Sequence, residues 1–277
     1  MEWRRLKNII ILILLLLNGF LLVLVGTRWG EAVKYDRAAL DQTLEVLAGR
    51  GIQVDPDVLA PAESLPPLVI ERDLEAEQKL AQALLGSEAQ ADNRGGGLYL
   101  YQSGLGELGL RAGGEFFAEL AEDPHWGTDQ PQTHAAALMQ TMGVDAAWIG
   151  TDAQGGRTVV CFRQLWDGVP VFSCEIRLTY EGGLLHSIKG MLLTAGQTGQ
   201  EPGEILTLPT ALMRFWDGVT AAGDVCSSIQ SMEPGYLIAA QPLSGGVRLT
   251  AVWLVTSDTA GYYLDGATGA LTRLTEP

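Results

Sequence analysis

The chain has 277 residues, with 33 Asp and Glu against 18 Lys and Arg and a formal net charge of −15. The first 26 residues carry only Glu2, Arg4, Arg5 and Lys7, so the remainder stands near −17, which argues against nucleic acid or an anionic surface as partner. Three cysteines are too few for a disulfide-built scaffold, and 34 glycines, many in short turn signals, point to hairpins.

Residues 6–26, LKNIIILILLLLNGFLLVLVG, form the first predicted element. About 20 apolar residues cross a hydrocarbon core of roughly 30 Å, so this stretch is expected to be a transmembrane helix. Arg4, Arg5 and Lys7 precede it, which by the positive-inside rule puts the N-terminus in the cytoplasm and the rest outside. The exit GTRWGEAV lacks the A-x-A pattern of a cleaved signal peptide, favouring an uncleaved anchor in the cell membrane. Trp3 and Trp29 flank the span as interfacial residues. Asn18, at mid-depth, either hydrogen-bonds a neighbouring helix for about 1 kcal/mol or is tolerated beside Gly19.

Beyond the anchor, Leu40, Leu44 and Leu47 line one face of a helix over 33–51, and 52–54 is a short strand. A polar, proline-rich loop follows to 67, then an extended segment at 68–72 and a helix over 73–86. The triple glycine 95–97 is read as a turn before a hairpin of 98–102 with 107–111, since no phosphate-binding spacing surrounds it. The segment DPHWGTDQP at 123–131 marks a domain boundary, with 124–131 as linker.

A helix at 133–142 then leads into four strands, 146–151, 157–166, 169–180 and 184–192, an antiparallel meander. Asp167-Gly168 is a favoured two-residue turn. It sets Trp166 opposite Val169, Leu165 opposite Pro170 and, continuing the count, Cys161 opposite Cys174. Cα atoms opposed at a non-hydrogen-bonded site lie about 4.5 Å apart, within reach of a disulfide; two small buried hydrophobes fit the same pattern. A second pass begins with a helix near Pro209, leaves 224–230 ambiguous, and continues with strands at 236–242, 247–256, 261–265 and 270–274. The fold class is therefore α+β: a cytoplasmic tail and anchor (1–30), an N-terminal α+β domain (31–123), the linker, and two helix-plus-antiparallel-sheet modules (132–200 and 201–277), an internal duplication of topology.

No catalytic, cofactor-binding or metal-binding residue is assigned. His125, His134 and His186 lack zinc-helix spacing, the serines lack a G-x-S-x-G setting, and Asp167, Asp258 and Asp265 fall in turns where carboxylates cap backbone amides. No cofactor and no small-molecule substrate is expected. Trp148 and Trp253 hold equivalent places in the two sheets and are expected in cores. Trp166, at a hairpin tip, is either an external partner-binding anchor or packs across the strand on Val169.

The opening MEWRRLKNIIILILLLLNGFLL resembles the start of the YycI family, related to YycH. Gly-Ile-x-Val at 51–54, the 164–172 hairpin and the ending AVWLVTSDTAGYYLDGATGAL also resemble that family and, more loosely, PepSY-type modules. The resemblance implies a non-enzymatic, single-pass regulator in a Gram-positive envelope. It would act with a YycH-like protein on the sensor histidine kinase WalK of a cell-wall two-component system, with Trp3, Lys7 and Asn18 on the kinase-facing helix. The alternative is a PepSY-like module that binds or inhibits a secreted protease or cell-wall hydrolase.

Overall fold

Alternating and helical periodicities set the elements, and the way three similar units join sets the molecule. The computed structural model describes residues 37–61, 64–194, 198–200, 203–239 and 246–274, with Leu14, Leu15, Leu17 and Asn18 from the N-terminal stretch. The rest of the apolar span, with Lys7 in it and Trp3 before it, lies outside the described residues. The four that are described are helical, and the Asn18 amide donates to the Leu14 carbonyl at 2.8 Å, one turn back. No helix among the described residues is long and apolar enough to cross a membrane.

The chain runs through helix α1 (37–49), strand β1 (Gln53–Val54), a 3-10 turn (Pro56–Val58) and strand β2 (Leu68–Glu71). Three repeats of one plan follow, each a helix leading into an antiparallel meander. In the first, helix α2 (Leu74–Leu85) precedes β3 (Gln90–Gly95), β4 (Leu98–Ser103), β5 (Gly106–Arg111) and β6 (Glu115–Leu120). In the second, α3 (Pro131–Thr141) precedes β7 (Ala146–Gln154), β8 (Arg157–Trp166), β9 (Val169–Glu181) and β10 (Leu184–Met191). A short β11 (Thr198–Gln200) leads to the third, in which α4 (Leu208–Ala222) precedes β12 (Ser228–Ile238), β13 (Gly246–Ser257), β14 (Gly261–Asp265) and β15 (Leu271–Arg273). The fold is thus α+β and dominated by sheet. The duplication expected from sequence is a triplication, its first copy disguised by β3, whose QADNRG is polar and wholly exposed.

The first two repeats join through their fourth strands. β6 pairs antiparallel with β10, Ala118 opposite Ile188, so the sheet reads β3-β4-β5-β6-β10-β9-β8-β7 and is symmetrical about that joint. Alternation explains which face is covered: Phe116, Ala118 and Leu120 on β6 and Ile176, Leu178 and Tyr180 on β9 turn to one side, where α2 and α3 cover them in a shared core. Gly190 on β10 lies so close to β9 that a Cβ there would strike the Glu175 carbonyl, and its φ is +150°. The segment expected as a linker is part of this unit. Asp123 caps a 3-10 turn (Pro124–Trp126) whose Trp126 is 2% exposed within the shared core, and Gly127 bridges to Leu184.

The third repeat takes strands from elsewhere. β2 pairs with β13 and β11, and β1 runs parallel to β12, so residues 53–71, expected in an N-terminal domain, lie in the C-terminal sheet. Leu47 of α1 and Leu212, Phe215 and Val219 of α4 cover Trp253, Val255, Tyr262 and Leu264 in a second core. Arg50 lies 3.9 Å above the Trp216 ring. A strand pairing, a ring contact of Phe172 with Tyr263 and an arginine are among the links between this repeat and the others. β12 pairs with β9 at Tyr236 opposite Val171, over a third cluster that includes Cys174 and Leu249. Arg72, next after β2, reaches into the first repeat: its guanidinium holds both oxygens of buried Glu77 on α2 (2.6 and 2.8 Å) and donates to the carbonyls of Gly97 and Leu110.

Candidate binding cleft

The β8–β9 hairpin follows the sequence at its tip. Asp167 and Gly168 both have positive φ, 51° and 79°, as a type I′ turn needs, and Trp166 faces Val169 and Leu165 faces Pro170. Three residues further the register differs from expectation. Arg163 pairs with Glu175 and Cys161 with Arg177, because β9 carries extra residues across from Gln164. In that bulge β9 turns from β8 to meet β12: Val171 pairs with Tyr236, and the Ser173 hydroxyl accepts the Ile238 N–H at 2.8 Å. Cys174 is therefore not opposite Cys161, and both are free thiols, as is Cys226. Burial pushes all three thiols up, Cys174 to about 12, which leaves them protonated and poor nucleophiles at neutral pH.

Above this bulge lies a cleft of about 520 Å³. Its wall on α2 is Ala76, Lys79, Leu80 and Ala83, small and long side chains at helical spacing; its floor and far wall come from 141–145, from Gln164 to Asp167, and from Leu193 and Thr194. Gln164 is 5% exposed and holds the chain leaving β10 by both amide atoms, donating to the Leu193 carbonyl at 2.7 Å and accepting the Leu193 N–H at 2.8 Å. These two hydrogen bonds hold the Gln164 amide against the chain leaving β10. Trp166 is half-buried, lines the cleft and also packs on the third cluster. Asp145 and Asp167, both exposed, are its carboxylates.

The same place in the other repeats is occupied by the chain itself. Where the strand following the helix begins, the turn between the second and third strands folds over it. In the first repeat the Ser103 hydroxyl donates to the Leu85 carbonyl at 2.8 Å, and Leu105 joins the core. In the third, Asp258 accepts from the Ser227 and Ser228 amides while the Thr259 hydroxyl donates to the Val225 carbonyl at 2.7 Å. Hydrogen bonding by Ser227 holds the Asp258 carboxyl below its ordinary value, so this carboxylate is accounted for as a cap. In the second repeat the hairpin is drawn toward β12, and a gap stays open.

Among the described residues no group of three His, Cys, Asp or Glu gathers to hold a metal. His134 on α3 hydrogen-bonds the buried Tyr180 hydroxyl through Nδ1 at 3.0 Å; burial, with His125 nearby, lowers the His134 pKa, and burial raises that of Tyr180. Trp253 is fully buried with its N–H on the Leu206 carbonyl, whereas Trp148, also expected in a core, is 51% exposed on edge strand β7. Sequence reading reached Trp166 and missed Gln164 and the α2 wall. Ala76, Leu80 and Ala83 share one side of α2 at i, i+4 and i+7, the spacing of any core face, so the groove carries no mark of its own in the sequence.

No protein-family model matches the chain, and no curated protein matches it. Among solved structures it is similar to an uncharacterized protein of Eubacterium rectale ATCC 33656, at 13% identity and TM-score 0.47 over 80% of this chain and 86% of that one. It is also similar to the Bacillus megaterium YpeB C-terminal domain, at 12% identity and TM-score 0.40 over 75% of this chain and 100% of that one. Neither likeness is strong enough to assign a family.

Proposed function

We propose that this chain is a non-enzymatic, membrane-anchored binding protein, and that the cleft beside Trp166 receives a segment of a partner protein outside the membrane. The observation that carries this reading is the break in the internal repeat: two helix–hairpin junctions are sealed by the chain's own turns, and the one left open is lined by Trp166, Leu80 and Met142 around an immobilised Gln164. Apolar walls with few, fixed polar groups suit recognition.

The resemblance of the first residues to the YycI family supplies the finer reading: a WalK-like sensor histidine kinase and a YycH-like protein as partners, the exterior shifting the kinase between states by differential affinity. A groove against Trp166 favours the second reading, a PepSY-like module that captures a secreted protease or cell-wall hydrolase. Photocrosslinking in native membranes from Asn18 and, separately, from Asp167 tests both. A histidine kinase joined at both positions supports the regulator. An envelope hydrolase joined at Asp167 alone, and lost on Trp166→Ala, supports capture by the cleft. Only lipid at Asn18 and nothing dependent on Trp166 at Asp167 overturns the binding reading.

A further inference from the structure

We propose that strand β7 is a docking edge onto which a partner protein's extended segment, alternating cationic and apolar side chains, adds as a further strand. This rests on the cleft reading above and states the form in which the partner's segment is recognised. Strand β7 pairs with β8 on one side, and among the described residues nothing pairs with its other side. It is nine residues long, and its beginning adjoins the cleft, since Gly143, Val144 and Asp145 line the cleft and lead straight into Ala146.

The directions of its backbone groups follow from one bond. The Leu165 N–H donates to the Asp145 carbonyl at 2.8 Å. Hydrogen-bonded pairs alternate along an antiparallel ladder, so Ala147 is turned inward to Arg163, and the N–H and C=O of Ala146 and Trp148 point to the open edge. A segment lying there would meet the outward backbone groups of Ala146 and Trp148, beside the side chains of Trp148 and Ile149, which are 51% and 39% exposed.

Natural sheet edges are blunted by lysine, proline, charge or a bulge. The other end of this sheet, β3, is blunted: it is wholly exposed with Ala91 its one apolar side chain, carries the Arg94–Asp92 pair and has a bulge at Arg94, between Asn93 and Gly95. Strand β7 reads AAWIGTDAQ, with no lysine, arginine or proline, and its bulge, at Ile149 between Trp148 and Gly150, leaves Ala146 to Trp148 in regular register with β8. Charge names the partner. No lysine or arginine occurs between Arg111 and Arg157, and exposed Asp145, Asp152 and Asp167 bracket the edge and the cleft mouth. Lys79 is the cleft's one cation. A segment with cationic side chains on one face and apolar ones on the other satisfies the edge, Trp148 and the carboxylates together.

The test uses the full chain in detergent and a fluorescent peptide of alternating lysine and valine. Two further peptides carry N-methyl groups on one or the other set of alternate residues, which leaves charge and composition unchanged. Binding is expected, at least about tenfold weaker for one methylated set and unaltered for the other, because only one register's N–H groups face β7. Ala146→Pro, which removes an outward N–H that no ladder bond uses, is expected to weaken binding by a similar factor with an unchanged melting temperature. Equal affinity for all three peptides, no binding, or a dimer in sedimentation that Ala146→Pro dissolves overturns the proposal. Should Trp166→Ala abolish binding while methylation and Ala146→Pro do nothing, the cleft reading stands and the edge proposal falls. The reverse pattern keeps the edge and removes the cleft.

Discussion

The two joints between repeats are built differently. Between the first and second repeats, β6 and β10 share five registered pairs, and α2 and α3 cover a common core, so two meanders become one sheet. Between the second and third, backbone pairing shrinks to Tyr236 opposite Val171, helped by one side-chain bond from Ser173, the small third cluster and the reach of Arg72. An edge-to-edge joint with a shared core leaves little freedom. The thin joint bends β9 out of its ladder, and that bend opens the cleft: the weak joint and the candidate site have one cause.

Mutations sharpen the contrast. The largest effect is expected at Gly190, where Gly190→Val forces a side chain into the Glu175 carbonyl at a φ that L-residues avoid. Loss of folded protein, or a destabilisation above about 4 kcal/mol in urea, is the expected result; a variant with wild-type stability would show that β9 and β10 can part at this point. Next comes Arg72→Ala, which strands the Glu77 carboxylate at 3% exposure and should destabilise by about 3 kcal/mol. Arg72→Met with Glu77→Leu should recover most of it. If the single change were as mild as the double one, the ion pair would not be the tie between β2 and the first repeat.

The smallest effect is a pH dependence in the first core. Its sign follows from the lowered His134 pKa: below the ordinary value of about 6.5 the unfolded chain binds more protons than the folded one, so stability falls as pH drops from there through the folded pKa. His134→Gln should flatten that slope. Urea midpoints at neutral pH and near pH 5 decide it, and identical slopes in both proteins would remove His134 from the account.

Much of the fold was legible in order of appearance. The β8–β9 turn, the α2 and α4 helices and strand β14 come from local signals: positive-φ residues, helical spacing of leucine and phenylalanine, and short alternation between glycines. Strand β12 begins eight residues before its expected start, at Ser228 rather than 236, because Pro234 and Gly235 in mid-strand read as a break. Strand β3 was missed because an exposed edge strand has no buried face to mark it. Trp148 and Trp253 look alike in sequence. One strand is covered by α4 and its neighbours while the other lies at an edge, which position along the chain does not reveal.

By itself the sequence determined the last two helix-plus-meander units, the hairpin tips and the acidic character of the surface, since these depend on neighbours a few residues apart and on composition. Tertiary structure decided the rest: β6 against β10, β2 carried into the third sheet, the bulge that separates Cys161 from Cys174, and the cleft between α2 and Trp166. These are backbone pairings between distant edges, and since every residue but proline carries the same donor and acceptor, side-chain patterns leave the choice of partner unmarked. Shape and burial of the assembled units make that choice.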